Sequence, residues 1–144
     1  MNTAERLEIK DRKTFKNVVD VCFRIAVPND IKRMYQFFNC LSSETIYKRF
    51  FAAIKPISKD YIRQYMTLDY SRASSIVGLL AEPSGERIIA EARFVKDRKR
   101  LSAEIALVVN EQYQKLGIGT YLYRLCVKQA EEIGVKRFTA EVLP

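Results

Sequence analysis

From Val21 to Val27 the chain alternates apolar and polar positions, with Val21, Phe23, Ile25 and Val27 on one face, which predicts a strand ending at Pro28. The period then changes. Ile31, Met34, Tyr35, Phe38 and Leu41 recur at helical spacing, so residues 30–41 form a helix for which Asn29 or Asp30 is the cap. A serine cap and a glutamate in the first turn open a second helix carrying Ile46, Phe50 and Ile54. Pro56 ends it, and Ser58 caps a third, short one. Period two returns in "SSIVGLLA" and "RIIAEARFV", joined by a turn containing Pro83 and Gly85, and again in "LSAEIALVV" after the basic tip "KDRKR".

Beyond that third strand, Ile118, Leu122, Leu125, Cys126, Gln129, Ala130 and Ile133 mark one face of a helix that stops at Gly134, a left-handed cap. "VKRFTAEVL" reads as a last strand. The order strand, helices, three antiparallel strands, helix, strand predicts an α+β domain. The crossover helix should place the final strand parallel to the one before it. Residues 1–20 mix charges with isolated apolar side chains and read as an N-terminal extension to a domain over 21–144.

Composition narrows the chemistry. At 144 residues one core is expected. Histidine is absent, which excludes Ser-His-Asp and Cys-His catalysis and nearly all familiar zinc sites. No metal is expected, and an acid or base working near neutral pH must be a carboxylate, Tyr, Lys, Cys or water. Cys22, Cys40 and Cys126 form no paired motif and read as reduced, mostly buried thiols of a cytoplasmic protein. No secretory signal or membrane-spanning run is seen. Twenty-five basic against 17 acidic residues give +8, which favours polyanionic partners or is plain solvated surface charge.

Only five glycines occur, and two of them, Gly117 and Gly119, sit at the mouth of the last helix in "VVNEQYQKLGIGTYL". A helix N-terminus with glycines before it offers free N–H groups to a phosphate. The same pair also fits an ordinary tight turn. No lysine follows the second glycine as a P-loop requires, and the preceding strands are hairpins, unlike a dinucleotide fold.

In this setting "AEIALVVNEQYQKLGIGTYLYRLCVKQAEEIGVKRFTAEV" resembles the acyl-CoA-binding core of the GNAT superfamily of N-acetyltransferases. Gln114-Lys115-Leu116-Gly117-Ile118-Gly119 matches the family's Gln/Arg-x-x-Gly-x-Gly/Ala signature. "LSSETIYKRFF", "YMTLDYSRASSIVGL" and "AEIALVV", in that order, are similar to the Pat-type protein lysine acetyltransferases of bacteria and archaea, whose targets include acetyl-CoA synthetase. The resemblance implies a GNAT fold: a mixed, mostly antiparallel twisted sheet flanked by helices. It also implies acetyl-CoA as cosubstrate, with its pyrophosphate on the backbone of Gln114, Lys115, Leu116, Gly117, Ile118, Gly119 and Thr120. The pantetheine arm would lie along Leu107, Val108 and Val109, with an N–H near Leu107 facing the developing oxyanion. The family's usual tyrosine acid comes from a helix after the last strand. The chain is therefore expected to be C-terminally incomplete, lacking that last helix and closing strands, with the general acid unassigned.

Glu104 interrupts an apolar strand and matches the position of the glutamate base in the resembling enzymes. A hairpin turning at Arg98-Lys99 would instead set Arg93 opposite Glu104 as an ion-pair partner. Glu91, on the same strand face as Arg93, is the alternative base. Tyr121 and Tyr123 read as packing or surface residues, Lys115 and Lys128 as surface lysines, and Cys126 as core. The expected function is direct acetyl transfer from acetyl-CoA to a lysine amine of a protein, such as acetyl-CoA synthetase or a nucleic-acid-associated protein. The alternatives are a small-molecule amine acetyltransferase, a basic nucleic-acid-binding module that lacks a recognisable reading motif, and an acyl-CoA sensor without turnover.

Overall fold

A computed structural model describes residues 10–50 and 56–140. Six strands form one sheet in the order β1-β2-β3-β4-β5-β6: β1 Lys10–Phe15, β2 Val19–Ile25, β3 Ala73–Glu82, β4 Gly85–Lys96, β5 Ser102–Val109 and β6 Arg137–Thr139. All neighbours are antiparallel except β5 and β6, which run parallel as the crossover predicts. The helices are α1 Ile31–Cys40, α2 Ser43–Phe50, α3 Lys59–Tyr65 and α4 Ile118–Glu131. Ile54, expected on the second helix, residues 1–9 of the expected extension, and the end of the expected last strand lie outside the described residues.

Both faces of the sheet are covered. α4 packs on one, over Phe23, Phe94 and Ile105, and α1 to α3 on the other, over Val77, Leu79 and Ile88. Burial on both sides explains why β3 reads as a nearly unbroken apolar run. An irregularity at Gly78 and Leu79 leaves Ile89 of β4 without a partner on β3, so the adjacent Ile89 and Ala90 both face α4 while Ile88 faces the other layer. From there on Ala90, Ala92 and Phe94 face α4, and Glu91, Arg93 and Val95 face the layer of α1 to α3.

The sequence reading needs one correction at its start. Residues 10–20 belong to the sheet: β1 pairs along β2 from Lys10↔Arg24 to Phe15↔Val19, through a turn in which Lys16 and Asn17 have φ of 53° and 56°. β1 is an edge strand held by its backbone, and among its described side chains, those of residues 11–15, Phe15 alone is buried, so its charged sequence shows no alternation. The thiols also differ from expectation. Cys126 is buried, and burial raises its pKa to about 12, but Cys22 is half-buried and Cys40, the last residue of α1, is exposed.

Ser42 and Ser58 cap α2 and α3 as expected, accepting the N–H groups of Thr45 and Tyr61 at 3.1 Å. Asp30 stands at the start of α1 but caps no helical N–H. It is fully buried, and its carboxylate accepts the Val27 N–H at 2.8 Å, both Nη groups of Arg24 at 2.6 and 2.8 Å, and Nη1 of Arg33 at 3.2 Å. Burial works against its ionisation, yet the hydrogen bonds from Arg24 and Val27 and the neighbouring guanidinium charges win, so its pKa is lowered. This cluster ties α1 to the end of β2. Replacing Asp30 by Ala strands the Arg24 charge and should cost about 3 kcal/mol in a urea titration. A midpoint close to that of the parent would show the pair to be dispensable.

Candidate active site

β5 organises the site. It pairs with β4 from Ala103 to Val109, but with β6 only over Ser102, Ala103 and Glu104. From Ile105 to Val109 its other edge has no strand beside it among the described residues, so main-chain groups there are available to an extended ligand. Leu107, Val108 and Val109 lie on this open stretch.

Past Val109 the chain is held tightly. The Asn110 N–H donates to the Ile89 carbonyl at 2.8 Å, and its side-chain oxygen accepts the Gln112 N–H at 2.9 Å, forming a short turn over Glu111–Tyr113. Gln114 folds back, its Nε2 donating to the Val109 carbonyl at 2.9 Å. Lys115 and Gly117 both adopt positive φ, 66° and 97°, and α4 begins at Ile118 with no side chain capping it. The N–H groups of Ile118, Gly119 and Thr120 precede the first helical bond, which runs from Tyr121 N–H to the Gly117 carbonyl at 3.1 Å. Left-handed residues before a bare helix N-terminus make a concave set of donors with positive potential.

The two glycines have different reasons. Gly117 occupies a conformation that side-chain-bearing residues avoid. Gly119 rests against β5, where an added Cβ would lie 3.5 Å from Leu107 and from Val109, an ordinary contact.

A cleft of about 480 Å³ runs beside the open strand edge. Ser42, Thr45, Lys48 and Arg49 of the α2 region line one wall, and Leu107 to Val109, Glu111 and Gln114 the other. Glu111 crosses it, its carboxylate accepting the Ser42 N–H at 2.8 Å. Burial opposes ionisation, but hydrogen bonds from Thr45 and Ser42 bring the Glu111 pKa down to about 2. Arg49, also on this wall, lays its guanidinium against the rings of Phe50 and Tyr65, and its Nε is buried without a partner among the described residues.

Glu104 is exposed at the point where β6 ends. It lines a hollow of about 500 Å³ with Arg72, Lys96, Asp97, Arg98, Lys99, Ser102 and Thr139, and makes no ion pair or side-chain hydrogen bond among the described residues. The expected pairing with Arg93 does not occur. The loop spans 97–101, where the Asp97 carboxylate accepts the N–H groups of Lys99 and Arg100 and the Asp97 N–H donates to the Ser102 carbonyl. This moves the register by two, setting Glu104 opposite Val95 and Arg93 opposite Ala106.

Arg93 instead belongs to a buried cluster. Its Nε and Nη2 donate to Glu91 at 3.1 and 2.9 Å, its Nη1 to the Tyr65 carbonyl at 2.8 Å, and its guanidinium stacks on the Tyr65 ring. Glu91 is 1% exposed and also accepts the hydroxyls of Tyr65 and Ser75. Burial opposes its ionisation, but the charges of Arg93 and Arg49 and those hydroxyls outweigh it, and its pKa is lowered. Tyr65, which also accepts from Arg49 Nη2, is raised by burial and by Glu91. Both oxygens of Glu91 are occupied and none reaches solvent. Tyr121 donates to Asp11 and packs on Phe15 and Phe23, while Tyr123, Lys115 and Lys128 are exposed. Tyr65, Ser75, Arg49 and Glu111 escaped the sequence reading; charged Glu91 and Arg93 on one face of an apolar strand were the available signal for the first three.

The Acetyltransferase (GNAT) family model matches residues 34–144. The chain belongs to the GNAT acetyltransferase family. It is 35% identical over 121 residues to Acetyltransferase Pat of Mycolicibacterium smegmatis, covering 83% of this chain and 35% of that protein. It is 30% identical over 108 residues to Acetyltransferase PA5475 of Pseudomonas aeruginosa, covering 75% and 58%. The chain thus spans about a third of the length of the first of these curated relatives and under two thirds of the second. The crystal structure of the GNAT domain of S. lividans PAT superposes with a TM-score of 0.82 at 24% identity, over 94% of this chain and 79% of that one, a likeness of fold. The GNAT fold and the Pat-like resemblance expected from the sequence both hold. Among the described residues no group of three or more His, Cys, Asp or Glu is placed to hold a metal ion, and no helix is long and apolar enough to cross a membrane.

Two measurements check this geometry. Gly117→Ala forces a side chain into the left-handed region at about 1–2 kcal/mol and should weaken acetyl-CoA binding about tenfold in calorimetry, whereas Gly119→Ala should bind nearly as the parent does. Equal effects at both positions would contradict the distinct roles. Glu111, whose folded pKa lies below its unfolded value near 4.3, contributes stability that is complete above about pH 5 and lost as pH falls toward 2. Glu111→Gln should therefore flatten that part of the acid-denaturation curve.

Proposed function

We propose that this chain is an acetyl-CoA-dependent N-acetyltransferase that acts directly on a lysine side chain of a protein. The observation that carries the reading is the open β5 edge running from an unpaired carboxylate, Glu104, to the glycine-opened N-terminus of α4. The family model and the acetyltransferase relatives support the donor; the protein acceptor follows from the Pat-type resemblance of the sequence, with which the similarity to Acetyltransferase Pat agrees.

The residues divide the work. The backbone of Gln114 to Thr120 holds the pyrophosphate through N–H donors, and Leu107, Val108 and Val109 offer main-chain partners to the pantetheine amides. Glu104, acting directly or through water, takes the proton from the lysine ammonium, whose pKa is about 10.4. The freed nitrogen forms the C–N bond to the acetyl carbon, the C–S bond breaks as the tetrahedral species collapses, and the second proton shed by the nitrogen, passed through water, balances the one that the departing thiolate takes up as the thiol. An N–H near Leu107 faces the negative charge that develops on the carbonyl oxygen. Glu91 is assigned no proton transfer, because its oxygens are saturated and enclosed; it holds α2 and α3 in place.

Glu104→Gln should leave acetyl-CoA affinity unchanged by calorimetry and lower steady-state turnover at least about a hundredfold. Near-normal turnover would remove Glu104 from the reaction.

A further inference from the structure

β5 has two ends with opposite tasks. The cradle lies past Val109; Glu104 sits about 17 Å back along the strand, at roughly 3.3 Å per residue. With the donor entering from the cradle end, the acceptor amine reaches Glu104 from the other, and that end is strongly basic. Arg72, Lys96, Arg98 and Lys99 surround Glu104 in the hollow. Arg100, Lys136 and Arg137 continue the charge around an adjoining hollow of about 470 Å³ that shares Ser102 and Thr139.

These cations are mostly uncompensated. Arg72 is paired, at 3.8 Å from Asp69, and Lys96 is tied down by the carbonyls of Asp97 and Arg100. Arg98, Lys99, Arg100, Lys136 and Arg137 form no ion pair among the described residues. The carboxylates near them are Glu104 itself, Asp97, whose oxygen is taken by loop N–H groups and whose charge also reaches Lys96 and Arg100, and Asp69, which pairs with Arg72 and whose charge reaches Arg98; those five cations remain outside any ion pair among the described residues. Among the described residues no aromatic side chain lines either hollow to offer a base a stacking surface.

Resting on the acetyltransferase reading, we infer that this face receives acceptor proteins whose target lysine is flanked by acidic side chains. The flanking carboxylates meet Arg98, Lys99, Arg100, Lys136 and Arg137, and the lysine passes between them to Glu104. A free polyamine or a lysine in a basic segment is repelled by the same charges.

The test uses three peptides identical except for the residues around one lysine: glutamate, glutamine or arginine. Expected is a kcat/KM order of Glu over Gln over Arg, at least about tenfold between the first two at about 50 mM salt, shrinking at about 300 mM. The double variant Arg98→Glu, Lys99→Glu should erase the advantage of the Glu peptide, with acetyl-CoA affinity serving as the check on folding. Equal rates for Glu and Gln peptides would overturn the inference while leaving the enzyme reading intact. Saturable acetyl-CoA binding with no peptide acetylated would overturn the protein-lysine reading; salt-sensitive anisotropy of a labelled Glu peptide in that case would still support the docking face. A single-stranded oligonucleotide that binds more tightly than the Glu peptide and displaces it would reassign the face to nucleic acid.

Discussion

A strand presents N–H and carbonyl groups along both edges, and each must find a partner in protein, solvent or ligand. β5 satisfies one edge completely through β4, but β6 covers the other only as far as Glu104. Everything else at the site follows from this half-finished pairing. α4 starts where the strand stops, crosses the sheet over Leu107 and Val109, and returns the chain to lie parallel to β5 at its far end. The short β6 marks where covered edge gives way to open edge, and Glu104 is the last covered residue. On the proposed reading the recognising groups are main-chain ones, so side chains around them are free to vary.

An open edge is useful only if its opposite wall stays in place. That wall is α2, and two polar devices hold it. Glu111 receives the first N–H of the α2 region from across the cleft. Beneath, Glu91, Arg93, Tyr65, Ser75 and Arg49 form a buried ionic cluster joining β3 and β4 to α2 and α3. A buried cluster of this kind contributes little net stability, since desolvation offsets most of its attraction. Its value is geometric: Glu91 accepts from groups on α3, β3 and β4, and Tyr65 in turn accepts from Arg49 of α2, so a shift of either helix breaks a hydrogen bond of the cluster. Edge-to-face packing of Phe38, Phe50 and Tyr65 adds apolar area with the same orientation.

The sequence carried the elements whose burial follows a period. β2, α1, α4 and the two hairpins of β3 to β5 were legible because one face of each meets a core. β1 was not, because an edge strand can be specified by backbone pairing and a single buried Phe15. The cradle was legible through Gly117, whose positive φ leaves a mark in residue type. Register was the weak point. Asp97 binding two loop N–H groups lengthens the tip beyond what its charged sequence suggests, and two residues of slip separate an ion pair with Glu104 from one with Glu91. A two-residue slip keeps each side chain on its face, so the apolar pattern could not detect it.

The corrected register also changes what surrounds Glu104. Paired with Arg93 the carboxylate would have been enclosed and its charge cancelled by one neighbour. Opposite Val95 it stands in an open hollow whose rim carries several cations at the surface. An approaching lysine, itself a cation, therefore meets repulsion that extends over about 8 Å at physiological ionic strength. In the proposed docking, a substrate bringing its own negative charge offsets that rim while delivering the amine. On this reading the basic tip, which as sequence suggested either a nucleic-acid contact or solvated charge, acts as a filter on the acceptor. The filter and the base are joined by the same strand.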